Sequence, residues 1–531
     1  MGQDDSKKSL SRRNFLRIAL TGTSGIVLAA CGASNTAAPT TAPAAATTAP
    51  AAAAATTAPA AAATTAPAAT SAPAPTAAAA PTAAAAAPTA AAAATAPPAP
   101  TNTPAPLPQG SAGKLTVIHR TEYFSSVQDT FRGLVTKFAE DKGIELDIST
   151  ANPEQFGDFN AKMQAAVQAG NPPDVAYTTL QIPQLYFLDV LEDVTDVVDE
   201  LVSKYGAVVP ATAAKNAQVD GKWWAVPFIS NSGAWFVRGD WLKEAGIDPA
   251  TFTEGDYNAR RDMALAISDP SKNRYGWGIT VNRSGDGHGF LTHVIQSFGG
   301  RFVDETGEKV TFNSPETVEA VTWLQETYTS EKYAPMLAPG ILSWTDPSNN
   351  EAYLAGTIGI TSNAFSIYAQ SKRDSNPVFP NTLVMQAPRA NDGALLQAGA
   401  NGWFTIFKGA QNVAAAKELI LYMLDPANFV PMVQQGGGLF LPAYKDQWTP
   451  EVLAVDPNFA SLQEIIFNET PWTGQAYPAN PNAAISAIDG QSITSQMMSN
   501  VINGTMTPAE AVEDANGKIV QIFEELGLPQ S

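Results

Sequence analysis

One cysteine, three histidines and no charged residue at all between Gly32 and Gly113 are the scarcities that first narrow this 531-residue chain. Cys31 is the sole cysteine and lies near the N-terminus, so intrachain disulfides are excluded, and neither a thiolate metal site nor a cysteine nucleophile belongs to the folded part. His119, His288 and His293 do not form an HExxH pair, and no other tight set of metal ligands stands out, so no metal or cofactor is expected. Gly-x-Ser-x-Gly, P-loop and dinucleotide-binding patterns are also missing. Beyond residue 31 no run is apolar for the roughly 20 residues a membrane span needs.

What is present divides sharply. The first 31 residues hold five of the 31 basic side chains and two of the 50 acidic ones, which leaves a formal charge of −22 on residues 32–531. A surface of that sign repels phosphate backbones, so nucleic acid is not an expected partner. From Ala33 to about Gly110 the chain is almost wholly Ala, Pro and Thr. A proline every few residues removes helical donors and fixes extended backbone, so residues 32–112 are expected to form a disordered stalk. In a polyproline II form it would reach on the order of 200 Å, at about 3.1 Å per residue. Folding is expected over 113–531, which is long enough to divide into two lobes because single cores stop growing near about 250–300 residues.

The N-terminus carries an export pattern. Ser11-Arg12-Arg13-Asn14-Phe15-Leu16-Arg17, followed by a mildly apolar run, resembles a twin-arginine signal, with an ordinary Sec signal as the alternative. Leu28-Ala29-Ala30-Cys31, followed by Gly32, resembles a bacterial lipobox, which implies cleavage before Cys31 and acylation of its sulfur. Buried acyl methylenes contribute about 0.8 kcal/mol each, so such a terminus would hold the protein on the outer face of the cell membrane.

Within the folded part, Leu115–His119 reads as a buried strand, and Val127, Phe131, Leu134, Val135 and Phe138 fall on one helical face. A helix over Phe159–Ala169 leads to a short strand at Val175–Tyr177. Trp223–Phe228 and Ala234–Val237 read as strands, after which Asp240 is expected to cap a short helix that stops at Gly246. Ser314-Pro315 starts a helix burying Val318, Val321, Leu324 and Tyr328. Strands are expected at Ile358–Thr361, Leu383–Gln386 and Trp403–Phe407, then a helix over Val413–Leu424 ended by Asp425-Pro426. Thr507-Pro508-Ala509-Glu510 is a capping box before a stripe of Val512, Ala515, Ile519, Phe523 and Leu526. Strand–helix alternation makes this an α/β protein.

Several segments in order resemble the extracellular solute-binding proteins of family 1, which serve ATP-driven importers of sugars and related solutes. They are Ala169-Gly170-Asn171-Pro172-Pro173-Asp174-Val175, the run Asp220 to Phe228, Trp241 to Asp248, Glu351 to Ile360, Gly402-Trp403, and Gly504 to Ala511. The resemblance implies a two-lobed periplasmic-binding-protein type II fold with a hinge and an interlobe cleft. By analogy one lobe takes 114–230 and 388–448, the other 231–387 and 449–531. It further implies a monomer that captures a small molecule, expected to be a sugar, and delivers it to the permease subunits of an ABC transporter, with no catalytic residue.

A sugar offers hydroxyls at its rim and C–H faces above and below, so its site calls for amides and aromatic plates at the carboxyl ends of strands. The candidates are Tyr123 after the first strand, Gln181 after Val175–Tyr177, Asn231 after Trp223–Phe228, His288 in a Gly-rich loop over 284–289, Asn363 after Ile358–Thr361, and Trp472. Trp403 joins them because the corresponding segment often lines the cleft in the family resembled. Trp223, Trp224, Trp241 and Trp323 are expected to pack in the core instead. Two other readings stay open: an exported carbohydrate-active enzyme on the same tether, and a sensory receptor of the same fold.

Overall fold

The computed structural model describes Gly110 and residues 112–530 apart from 152–155, 180–181, 250–254, 398, 469–471 and 529; the export signal, Cys31, the stalk and Gln181 lie outside the described residues. Two large sheets, each wrapped by helices, make two lobes, beside a separate two-stranded sheet. In chain order the strands are β1 (Lys114–Arg120), β2 (Glu145–Ala151), β3 (Val175–Thr178), β4 (Gln218–Val219), β5 (Lys222–Trp223), β6 (Val226–Asn231), β7 (Gly233–Arg238), β8 (Tyr275–Trp277), β9 (Ile358–Ala364), β10 (Thr382–Met385), β11 (Ala400–Ile406) and β12 (Leu441–Pro442).

The first lobe holds a six-stranded sheet in the order β12-β6-β11-β3-β1-β2. Here β1 runs parallel to β2 and β3, whereas β11 is antiparallel to both β3 and β6. The interior position of β1, between β3 and β2, follows from its sequence, since Leu115 to His119 are all buried, as a strand covered on both faces requires. Acidic and apolar residues alternate in β2, where Lys114 reaches Glu145 at 3.6 Å and Asp147 at 3.4 Å; that is the pattern of a half-buried edge strand. The side chains of Phe131, Tyr177, Phe228, Phe404, Phe429 and Phe440 fill this core.

The second lobe holds β10-β7-β9-β8. Only Ser232 separates β6 from β7, so the chain changes lobes in a single step there, and it returns between β10 and β11. A third passage leaves β12, runs beside the Pro426–Gly436 helix as Pro450–Leu453, continues as Phe459–Ile466, and is back in the second lobe by Trp472. In β8 a glycine is obligatory, because a Cβ on Gly276 would stand 1.8 Å from the Ala264 carbonyl oxygen. Trp235, Tyr257, Trp277, Phe290 and Trp323 pack edge to face beneath this sheet, with the Arg261 guanidinium over the Trp323 ring.

Three local expectations are corrected and one is extended. Trp223–Phe228 is not one strand: it breaks at Trp224-Ala225 into β5 and β6, which join different sheets. Asp240 does not cap the Gly239–Glu244 helix; it lies inside the first turn, and Arg238 holds its carboxylate through Nε (2.8 Å) and Nη2 (2.6 Å). Asp425-Pro426 does end the Val413–Met423 helix, but it also caps the next one, Pro426–Gly436, with Asp425 accepting from Ala427 N–H. The glycine-rich stretch 284–289 is no loop but the start of the Gly285–Ser297 helix. Ser284 caps it, and an unbroken buried run from Phe290 to Ser297 supplies the packing that glycine lacks.

Trp223, Trp241 and Trp323 are buried, while Trp224 is half-buried against the Tyr186 ring. The terminal capping box is formed in both directions: Thr507 Oγ1 accepts from Glu510 N–H, and the Glu510 carboxylate accepts from Thr507 N–H. Thr507→Ala should therefore lower stability by about 1 kcal/mol, read as a lower urea midpoint at unchanged slope. No change would mean that the helix is fixed entirely by its buried stripe.

Candidate functional site

The carboxyl ends of β1 and β3 bring charge and aromatic side chains together at the edge of the first lobe. Arg120 reaches Thr179 Oγ1 at 3.5 Å and Glu122 Oε1 at 3.4 Å. The Glu122 side chain is 7 % exposed, and burial raises its pKa against the opposing charge of Arg120. Tyr123, next along, is 49 % exposed and points its hydroxyl at the second lobe, where Asn350 Nδ2 donates to it at 3.2 Å.

From Asn350 an amide relay runs inward. Asn350 also donates to Ser366 Oγ (3.1 Å) and accepts from Asn363 Nδ2 (2.5 Å), and the same Asn363 amide donates to Asn349 Oδ1 at 3.0 Å. Asn349 Nδ2 then donates to Asp286 Oδ2 at 2.8 Å. Burial, helped by the carboxylate of Asp346, pushes the Asp286 carboxyl up to about 7, against the lowering effect of the Asn349 bond. Two further contacts join the lobes. Arg373 lies over the Phe124 ring at 3.9 Å and donates to Ser126 Oγ and Gln435 O, and Gln184 Nε2 donates to Ser486 O at 3.3 Å.

Ser486 is also part of the wall of a cavity of about 330 Å³, which places that cavity at the seam between the lobes. The first two turns of the Gly285–Ser297 helix, through His288 and Thr292, form one side; Trp472 to Gln475 form another. His288, Trp472 and Gln475 are held from behind. Trp472 Nε1 donates to Gln296 Oε1 at 2.5 Å, and its ring meets His293 edge to face at 5.2 Å. The Gln475 amide meets His288 Nε2 at 2.9 Å, while the Thr494 hydroxyl meets Nδ1 at 3.2 Å. An indole plate beside amides and hydroxyls suits a solute that is apolar on its faces and polar at its rim.

The sequence candidates thus fall into separate groups. Tyr123 and Asn363 are brought together through Asn350, and His288 and Trp472 share the cavity. Asn231 closes β6 opposite Ala400, at the exit to the second lobe. Trp403 is only 4 % exposed, on a strand between β3 and β6, so Trp403→Ala would test packing before it tested binding. Gln181 lies outside the described residues. Sequence reasoning missed Glu122, Asp286, Asn349, Asn350, Thr292 and Gln475. The one available signal was Asn349-Asn350 directly ahead of the Glu351 to Ile360 segment.

Comparison with known proteins agrees with this geometry. The family described as bacterial extracellular solute-binding protein matches residues 133–461. A probable ABC transporter-binding protein of Deinococcus radiodurans is 23 % identical over 319 residues, 58 % of this chain and 71 % of that one. A maltotriose-binding protein of Pyrococcus abyssi is 24 % identical over 175 residues, which cover 33 % of this chain and 35 % of the relative. Among solved structures, an ABC transporter solute-binding protein of Thermotoga lettingae bound with α-D-tagatose superposes with a TM-score of 0.63 at 17 % identity, over 78 % of this chain and 100 % of that one. Among the described residues no helix is long and apolar enough to cross a membrane. With a two-lobed fold, a seam between the lobes and a family match over more than half its length, the chain belongs to the bacterial extracellular solute-binding proteins.

Proposed function

We propose that this protein is the extracellular receptor of an ABC importer, that it captures a carbohydrate or a related small solute between its lobes, and that it hands this solute to a membrane permease without altering it. The observation that carries the reading is the cavity at the lobe junction, with one tryptophan plate, a rim of amides and hydroxyls, and the first lobe touching its wall through Gln184. Support comes also from the relatives, whose names specify maltotriose and α-D-tagatose. Capture needs no catalytic group: ligand that bridges the lobes shifts an open–closed equilibrium by its differential affinity for the closed form. On this reading the twin-arginine-like segment exports the chain, acylated Cys31 retains it at the membrane, and residues 32–112 serve as the tether.

A thermal and chemical unfolding screen against sugars and polyols tests the proposal. A true ligand at 100 times its dissociation constant should add about 2.7 kcal/mol of stability and be recovered chemically unchanged. Turnover of that ligand by the purified protein, or indifference to the whole panel, would overturn it.

A further inference from the structure

The chain passes between the lobes three times, and the points of passage converge on one side chain. In the first passage only Ser232 stands between β6 and β7, so the changeover lies at Ser232-Gly233. In the second, Leu396 still belongs to the second lobe, because His293 Nε2 of the Gly285–Ser297 helix donates to its carbonyl at 2.7 Å. Gly399 already belongs to the first lobe, because Thr212 Oγ1 of the Thr212–Ala217 helix donates to its carbonyl at 3.2 Å. Gln397 therefore stands at the second changeover.

The Gln397 side chain is 7 % exposed, and both ends of its amide are engaged. Oε1 accepts from Ala387 N–H at 2.9 Å, which closes the neck of the segment between β10 and β11. Nε2 donates to the Gly233 carbonyl at 2.9 Å, which bonds the second changeover directly to the first. The third passage joins at the backbone, where Asn468 Nδ2 reaches the Gln397 carbonyl at 3.5 Å shortly before the chain re-enters the second lobe at Trp472. Packing at Gly399 repeats the convergence. A Cβ there would stand 3.0 Å from Asn231 O and 3.1 Å from Ile466 Cγ1, so the first and third passages both press against the second.

A hinge is a few residues that absorb the change in backbone angle while the elements on either side stay rigid. Three passages bending independently would let the lobes twist and slide as well as close. A buried amide resists that, because breaking either of its bonds leaves a backbone group and an amide atom dry. Pinned at Gly233 and Gln397, the passages leave the lobes one axis. One axis is what brings Tyr123 to Asn350 and Gln184 to Ser486 in the same movement.

We infer that Gln397 is the pivot clamp of the hinge, a positioning residue whose amide ties two interlobe passages together so that the lobes close along a single path. This clamp goes beyond the receptor reading, because it concerns the joint and not the solute.

Pulsed electron paramagnetic resonance on the full-length protein tests it. Cys31→Ser removes the one native thiol, and Glu140→Cys and Glu319→Cys put a spin label at an exposed helix position of each lobe. In that background Gln397→Met, which loses both amide bonds at similar volume, should widen the interlobe distance distribution roughly twofold. Gln397→Glu keeps an acceptor for Ala387 N–H but has no donor for the Gly233 carbonyl when ionised, and should widen it as well. Thr507→Ala, which lowers stability at a helix cap outside the passages, should leave the width unchanged. Melting temperatures identify a variant that fails to fold, in which case the other Gln397 variant decides. Parental widths in the folded Gln397 variants, a displaced peak of parental width, or equal widening in Thr507→Ala would overturn the clamp. Failure of both Gln397 variants to fold would overturn it too, since the residue would then hold the fold and not the hinge. No ligand is used, so each of these results leaves the receptor reading to its own solute screen.

Discussion

Truncating Phe228 to alanine is expected to destabilise the protein by about 3–5 kcal/mol. Its ring is fully buried on β6 and meets five others: Phe404 at 4.3 Å, Tyr177 at 5.0 Å, Phe429 at 5.9 Å, Phe131 at 6.1 Å and Phe440 at 6.3 Å. Those partners come from strands β3 and β11, from the Ser125–Lys142 and Pro426–Gly436 helices, and from the turn before β12. An alanine there opens a void that no single element can collapse into, so the cost should lie in the upper half of the range for large-to-small core changes. A urea titration followed by tryptophan fluorescence reads it as a lower midpoint, confined to the first transition if the lobes unfold separately. A loss below about 1 kcal/mol would mean that the six-ring cluster repacks freely and is not the organising core of the first lobe.

That cluster also marks how far the sequence alone carries. Apolar runs and helix caps are local, and the local features were legible: β1, β3, β7, β9 and the helices starting at Ser314-Pro315 and Thr507-Pro508 all follow from a few adjacent residues. Elements whose stability comes from distant partners were not. The glycines of 285–289 read as a loop because glycine disfavours helix by about 1 kcal/mol, and only the fold shows that Phe290 to Ser297 are buried behind them. Likewise β8 is three residues long with a glycine at its centre, a strand only because β9 lies alongside and Ala264 leaves no room for a side chain.

The candidate site divides in the same way. Tyr123 and Asn363 were found by the rule that ligands gather at strand ends, but Asn350, which joins them, lies on a helix, where that rule does not look. Gln475 and Thr292 line one cavity across a sequence separation that no motif spans, and that neighbourhood is a property of the folded chain alone.

Asp286→Asn should stabilise the protein at neutral and alkaline pH, against the usual direction for a substitution at a buried polar site. The Asp286 carboxyl stands at about 7 against an ordinary value of 3.8, raised by burial and by Asp346. Between roughly pH 4 and pH 7 the folded protein therefore keeps a proton that the unfolded chain releases, so stability falls as pH rises through that window and is level above it. At about 1.36 kcal/mol per tenfold change in proton affinity, the loss by pH 8 is on the order of 4 kcal/mol. Asparagine removes the ionisation and keeps an oxygen to accept from Asn349 Nδ2, so the variant should match the wild type near pH 4 and exceed it by about 4 kcal/mol at pH 8. Urea midpoints at pH 4, 6 and 8 measure this; parallel profiles for the two proteins would show that Asp286 ionises at its ordinary value. An acid held at such cost at the end of a relay that reaches Tyr123 of the other lobe is a candidate for function, since groups that weaken a fold persist where the site needs them. The discriminating measurement is the ligand affinity of Asp286→Asn. A more stable protein that binds less well would place Asp286 in the machinery of closure, and a more stable protein that binds equally well would confine it to the scaffold.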